Sequence, residues 1–276
     1  MTRTHAGWIG GALLAGAVGA WAIASPAVAQ APSAEEVMRR AHLAMYYAGE
    51  DMRARVTMKL VSRDGGERVR EMAMTRRTLK EGGEQRYFIY FHRPPDVRDL
   101  AFLVWKYPGR DDDRWLYVPA LKLVRRIAAS DKHTSFVGSD FSYEYVSGRE
   151  PEDDSHKLLR EEPVGGREAY VIESVPKEAA DFSRKLSWID KTMWLPLKEE
   201  YYDRRGDRTR VYTAEEVKEV QGFWSAVKRS MRNVQSGHRT DAMFDDLRYN
   251  LKLSPELFSE RALRARQVAR RGSRHG

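Results

Sequence analysis

The sequence predicts a mainly β protein, a large curved antiparallel sheet with few helices. Three observations lead there. From Arg53 onward, apolar and polar residues alternate at a period of two, as on a half-buried strand. The alternating runs are separated by Asp-Gly-Gly, Gly-Gly, Pro-Gly, Asp-Arg-Arg-Gly and Ser-Gly clusters, residues that turn a chain sharply. Apart from the aromatic segment Phe136 to Tyr145, helical signals are confined to the two ends. About 245 residues follow the leader, which suits one domain, since all-β barrels and sandwiches run to roughly 200–250 residues undivided.

Residues 1–31 read as a cleavable signal peptide. Arg3 supplies the positive charge, Trp8 to Ile23 is rich in Ala, Gly and Leu, and Ala27-Val28-Ala29 or Ala29-Gln30-Ala31 offers a small-residue cleavage site. A membrane-spanning anchor is the competing interpretation, but the run is short and Pro26 interrupts it. Ser33-Ala34-Glu35-Glu36 is a capping box that opens a helix through Val37 to about Tyr47, closed near Gly49. The predicted domain spans 32–262, leaving 263–276 as a basic disordered tail.

Ala54, Val56, Met58 and Leu60 alternate with Arg55, Thr57 and Lys59. After Asp64-Gly65-Gly66, Met72 and Met74 share one face of a second strand, giving a hairpin. Strands follow over 84–91, 101–107, 168–175, 186–190, 197–202, 209–213 and 227–234. Trp115-Leu116-Tyr117-Val118 and Leu121 to Ile127 form two more around the Pro119 turn. A terminal helix begins at Ser254, with Pro255 in its first turn. Several strands are apolar on both faces: Tyr87, Ile89 and Phe91 oppose Phe88 and Tyr90, and Leu103 and Trp105 oppose Phe102 and Val104. A one-sided sheet needs one apolar face. The other is buried by helices or by a ligand, and ordinary core packing is the simpler explanation for large aromatics.

One stretch is more specific. It contains Trp115-Leu116-Tyr117-Val118-Pro119-Ala120, then Arg125-Arg126-Ile127, then Phe136-Val137-Gly138-Ser139-Asp140-Phe141-Ser142-Tyr143-Glu144. In this order the three blocks resemble the periplasmic outer-membrane lipoprotein-sorting (LolA-like) family, in its larger branch. Arg93-Pro94-Pro95-Asp96, the Leu195-Pro196-Leu197-Lys198 stretch after Trp188-Ile189-Asp190-Lys191, and Leu257-Phe258 extend the likeness. Tyr145 departs from it, since an acidic residue is expected after Glu144.

The resemblance implies an incomplete antiparallel β-barrel, a half-barrel with helices and a loop covering an apolar cavity. It assigns Met58, Leu60, Met72, Met74, Tyr87, Ile89, Phe91, Leu103, Trp105, Trp115 and Tyr117 to the lining, where methionine adapts to irregular acyl chains. Phe136, Gly138, Ser139, Asp140, Phe141 and Tyr143 become the lid loop, with Gly138 as hinge and Asp140 positioned to cap a following helical turn. Arg125 and Arg126 could meet a lipid phosphate or an acidic partner, although solvated strand faces carry arginines routinely.

Other functions find little support. With no cysteine the chain has no lipidated anchor, disulfide or thiol chemistry. His42, His92, His133, His156 and His238 are scattered, so no metal site or cofactor is expected. Asp111-Asp112-Asp113 and Asp153-Asp154 suit turns rather than a calcium loop. Ser139 lacks the glycine-flanked elbow of an esterase nucleophile. The chain carries 48 Lys and Arg against 40 Asp and Glu, but Arg3 and six arginines in the last sixteen residues supply most of the excess. The body is close to neutral, so a nucleic-acid face is not expected, while the tail could touch anionic lipid transiently. The expectation is a periplasmic, non-catalytic carrier of lipid or lipoprotein acyl chains, working with an inner-membrane exporter or an outer-membrane acceptor. By resemblance, this branch partners membrane lipid exporters. The alternative is a non-catalytic protein bracing an envelope complex.

Overall fold

In the computed structural model, residues 31–264 and Gly7 are described. The signal-peptide expectation and most of the basic tail fall outside that range. The order along the chain is α1 (Ala34–Tyr46), β1 (Asp51–Val61), β2 (Glu67–Thr78), β3 (Gln85–Arg93), β4 (Ala101–Lys106), β5 (Asp113–Val118), β6 (Leu123–Ile127) and α2 (Tyr143–Ser147). Then come β7 (Asp154–Val164), β8 (Arg167–Pro176), β9 (Arg184–Asp190), β10 (Pro196–Tyr202), β11 (Arg208–Val220), β12 (Phe223–Asn233) and β13 (Arg239–Tyr249). All thirteen strands form one open antiparallel sheet, ordered β6-β5-β4-β3-β2-β1-β13-β12-β11-β10-β9-β8-β7.

That order decides where the loop goes. The first and last strands, β1 and β13, pair in the middle of the sheet, so the two edges are β6 and β7, which are consecutive in sequence. The connection between them, residues 128–153, therefore joins the two edges of the half-barrel. It carries a 3-10 turn at Ala129–Asp131, the aromatic loop, α2, and a second 3-10 turn at Pro151–Asp153.

Helix α1 starts as predicted, with Ser33 Oγ accepting from Glu36 N at 3.2 Å. The Glu36 side chain does not return the bond of a capping box; it pairs with Arg39 and Arg40. Ala34, Val37, Met38 and Ala41, at helical spacing, bury against Ile172 and Ile189 of β8 and β9. Fully burying a side chain such as Val37 contributes about 1.5–3 kcal/mol. The last carbonyls of the helix have no intrahelical partners. Arg76 of β2 donates to the Tyr46, Ala48 and Gly49 carbonyls, and Gln85 Nε2 donates to Tyr46 O at 2.8 Å.

The convex face of β3–β5 is buried by the C-terminal segment. Phe88, Tyr90, Ala101, Leu103, Trp115 and Tyr117 form one cluster with Phe258 and Leu263, so the fold continues at least one residue beyond the predicted domain end. Asp51 pins the crossing chain, accepting from Leu251 N at 2.6 Å and Leu253 N at 2.7 Å. Ser254 caps only a 3-10 turn, Pro255–Phe258, and a helix begins after it at Glu260. Two strands were not legible in the sequence, β7 and β13, whose exposed faces and bulges hide the alternation. Near Pro119 the predicted second strand begins later, because residues 119–121 form a 3-10 turn and Lys122 is left-handed at φ 50°.

Candidate functional site

Cross-strand partners share a face of a sheet, so the pairing register fixes what lines the concave side. Val56 pairs with Met72 and Phe244, Met58 with Ala242, Met74 with Ile89, and Ile89 with Phe102. These residues face inward, and the connection between the edges packs onto them. Phe136 and Phe141 are buried at 2% and 5% exposure. The Phe136 ring centroid lies 5.9 Å from Phe91, 5.4 Å from Phe102 and 5.5 Å from Tyr143, and Phe141 lies 5.0 Å from Tyr145. The loop thus fills the concavity as a plug.

Its shape is set locally. Val137 and Gly138 have φ of 51° and 78°, so the chain reverses over two left-handed residues. Phe136 N donates to Phe141 O at 2.7 Å, and Ser139 Oγ donates to Phe136 O at 2.8 Å. Asp140 does not cap the following helix. Ser142 does, with Oγ accepting from Tyr145 N at 3.1 Å. The Asp140 carboxylate instead accepts from His238 Nδ1 at 2.6 Å and Thr240 Oγ1 at 2.8 Å, while Asp140 N donates to Thr240 Oγ1 at 3.0 Å. These bonds latch the loop to the start of β13.

Between plug and sheet remains an apolar cavity of about 60 Å³, lined by Met58, Met72, Met74, Ile89, Phe136 and Phe141 among others. A buried water takes up roughly 10–15 Å³ by the same measure, so only a few would fit. Beyond Tyr145 lies a second cavity of about 90 Å³, between α1 and β9–β12. Its charges are paired: Lys106 with Glu150 at 2.6 Å, Lys185 with Glu199 at 3.0 Å, Arg210 with Asp181 at 2.7 Å and Arg149 with Asp154 at 2.8 Å. His42 of α1 borders this cavity, its Nε2 3.6 Å from Glu150 and without a hydrogen bond. Burial first, then Lys106 and Lys185, push its pKa down to about 3, so the imidazole stays neutral. Glu144 of α2 is also buried, which favours its neutral form, but His133, Arg149 and Lys132 overcome this and hold its pKa near 2.

The predicted residues divide three ways. Met58, Met72, Met74 and Ile89 border the apolar cavity. Leu60, Tyr87 and Phe91 face the same way but are packed solidly in the concave core. Leu103, Trp105, Trp115 and Tyr117 are corrected: they occupy the convex face, where Trp105 meets Trp115 at 4.9 Å and donates from Nε1 to Phe258 O at 2.8 Å. Strand β4 is apolar on both faces, so alternation alone could not choose. The pairing of Leu103 with Phe88 and of Trp115 with Leu103 does. Arg125 and Arg126 are exposed on edge strand β6 and paired with Asp131 and Asp113, and neither lines the apolar cavity. Residues the sequence did not single out complete the lining: Val56, Val146, Ala242, Phe244 and Arg229. Tyr145, the departure from the family pattern, lines both cavities and divides them.

A family model described as an uncharacterized protein matches residues 83–265. A domain from Vibrio parahaemolyticus described as outer membrane lipoprotein-sorting is 30% identical, superposes with a TM-score of 0.77, and is covered over 98% of its length by 84% of this chain. The chain belongs to the LolA-like outer-membrane lipoprotein-sorting family. A DUF1329 family protein from Desulfovibrio piger is similar too, at 29% identity and a TM-score of 0.75, over 82% of this chain and 95% of that one. A LolA superfamily protein from Nitrosomonas europaea, at 17% identity and a TM-score of 0.66, shares the fold over 84% of this chain and all of its own. No curated protein matches the sequence. Among the described residues of this LolA-like chain, no helix is long and apolar enough to cross a membrane.

Proposed function

We propose that this LolA-like protein is a periplasmic carrier that shields the acyl chains of a lipid or lipoprotein in its concave face and hands them toward the outer membrane. The observation that carries the proposal is the plug. Phe136 and Phe141 occupy apolar volume through a loop that belongs to neither sheet edge and is held by one polar latch. With only about 60 Å³ left beside it, an acyl chain enters by replacing the two rings. Apolar surface stays covered with or without cargo, and no covalent step is needed. Direction of transfer follows from relative affinities of donor, carrier and acceptor, since a carrier alone drives nothing. An inner-membrane lipid exporter is the partner class favoured by the family resemblance.

The small cavity also suits a second function, a packed protein that braces an envelope complex. Native mass spectrometry and lipid extraction of the mature protein, purified from an envelope fraction without detergent, separate the two. A stoichiometric acyl-bearing species supports the carrier. A protein that is lipid-free, and that takes up no lipid from vesicles, supports the brace.

A further inference from the structure

Among the described residues, the one arginine that lines the apolar cavity has no carboxylate partner. Arg229 of β12 borders the apolar cavity and a neighbouring space of about 30 Å³ between Met45, Arg76 and Tyr249. Its guanidinium lies 4.1 Å over the Phe244 ring, and its Nε donates to Ala226 O at 3.2 Å. No carboxylate pairs with it among the described residues, whereas every cation lining the second cavity has one. Placing a cation among apolar side chains is costly unless something compensates it.

The hydroxyls of Tyr145 and Tyr212 are buried beside one another, with no hydrogen-bond partner outside that pair. Burial raises both tyrosine pKa values, and the Arg229 charge works against it, which places both hydroxyls within its electrostatic reach. The register adds a direction. Arg229 pairs with Ala242, Ala242 with Met58 and Met58 with Arg70, so one row across four strands holds an arginine at each end and apolar side chains between. Arg70 Nη1 is also buried without a hydrogen bond, but Arg70 lies beneath Gly138 of the plug. Arg229 opens onto the cavity itself.

We infer that Arg229 is an anion-recognition residue of the carrier, holding the carboxylate or phosphate of an amphiphile whose chain lies in the apolar cavity. The inference rests on the carrier function and narrows its cargo to anionic amphiphiles. The guanidinium presents its remaining donors in a planar fork that suits both anions. The Tyr145–Tyr212 hydroxyl pair has a donor left over for the same anion, and stacking on Phe244 orients the fork.

The test uses the mature protein and four probes: a sixteen-carbon fatty acid, the alcohol of the same length, the corresponding alkyl phosphate, and inorganic phosphate. The acid and the alkyl phosphate should bind on the order of ten-fold or more tighter than the alcohol, the size of effect that charge-assisted hydrogen bonds give. Arg229→Gln should abolish that preference, with an unchanged circular-dichroism spectrum and melting temperature showing that the variant is folded, and Arg229→Lys should keep part of it. A preference absent from the wild type, or one that survives Arg229→Gln but disappears in Arg70→Gln, overturns the assignment. Inorganic phosphate that displaces the fatty acid without a chain of its own would make this a free-anion site and overturn it as well. If no amphiphile binds the wild type at all, the carrier function fails first.

Discussion

Removing the Asp140 side chain should release the plug without unfolding the sheet. The carboxylate is 8% exposed and accepts two hydrogen bonds at the start of β13, at 2.6 Å from His238 just before the strand and 2.8 Å from Thr240 within it. Hydrogen bonds to charged groups contribute about 1.5–3 kcal/mol each; the freed His238 is partly exposed and can regain water, and the buried Thr240 hydroxyl keeps its bond from Asp140 N, so the docked loop should lose roughly 2–4 kcal/mol in Asp140→Ala. At about 1.4 kcal/mol per factor of ten, opening becomes some 30- to 1,000-fold more frequent. Asp140→Asn keeps one acceptor for Thr240 and should fall between the variant and the wild type. Hydrogen exchange followed by mass spectrometry reads this directly, because local opening exposes amides of that segment alone. Peptides covering 134–146 should exchange faster in Asp140→Ala while those from β1 and β2 do not change, and uptake of a fluorescent fatty acid should accelerate. Unchanged exchange in the loop, or equal acceleration across the sheet, would refute the latch.

Trp105→Ala should lower stability by about 3 kcal/mol, the lower end for Trp truncation given its half-buried position, and leave lipid uptake unchanged, measured by denaturant unfolding beside a binding assay. Met74→Ala should do the reverse, costing less stability because it borders empty space, and reducing uptake. Acid should destabilise the fold through His42: its folded pKa is depressed to about 3, so the unfolded chain takes the proton first and stability falls as pH drops from about 6.5. Glu150, Lys106 and Lys185 face the same imidazole, and the His42 contribution alone amounts to about 2 kcal/mol by pH 5. His42→Gln should flatten the melting temperature between pH 6.5 and 5, and an unchanged slope would show that other groups carry it.

The sequence conveyed the class of fold well because its strongest signals are local. Alternation in β1 and β2 and the Ser33 cap each depend on a few neighbouring residues, and each appears in the structure where it was expected. The plug was legible as a bent aromatic loop. What could not be read was its partner. The contact of Asp140 with His238 and Thr240 spans about a hundred residues, and it exists because β1 and β13 pair at the centre of the sheet. Face assignments failed for the same reason at β4 and β5, where both faces are apolar and only the C-terminal segment decides which is convex. Arg229 gave no signal at all, since an arginine in a strand is ordinarily a solvated one.

The energetics of plug and cargo tie these features into a single dependence on chain length. Undocking Phe136 and Phe141 gives up about 1.5–3 kcal/mol for each ring, and breaking the latch adds roughly 2–4 kcal/mol, so opening costs on the order of 5–10 kcal/mol. A buried methylene returns about 0.8 kcal/mol, so some six to twelve of them are needed before cargo competes with the plug. Short-chain fatty acids should therefore not bind, while those of sixteen carbons should. Asp140→Ala, by removing the latch contribution alone, should move that threshold down by roughly three to five methylenes without changing the slope of affinity against chain length. Isothermal titration across a homologous series measures both quantities. A threshold that stays in place in Asp140→Ala would mean that cargo binds without displacing the loop, and that the rings of Phe136 and Phe141 belong to a permanent core.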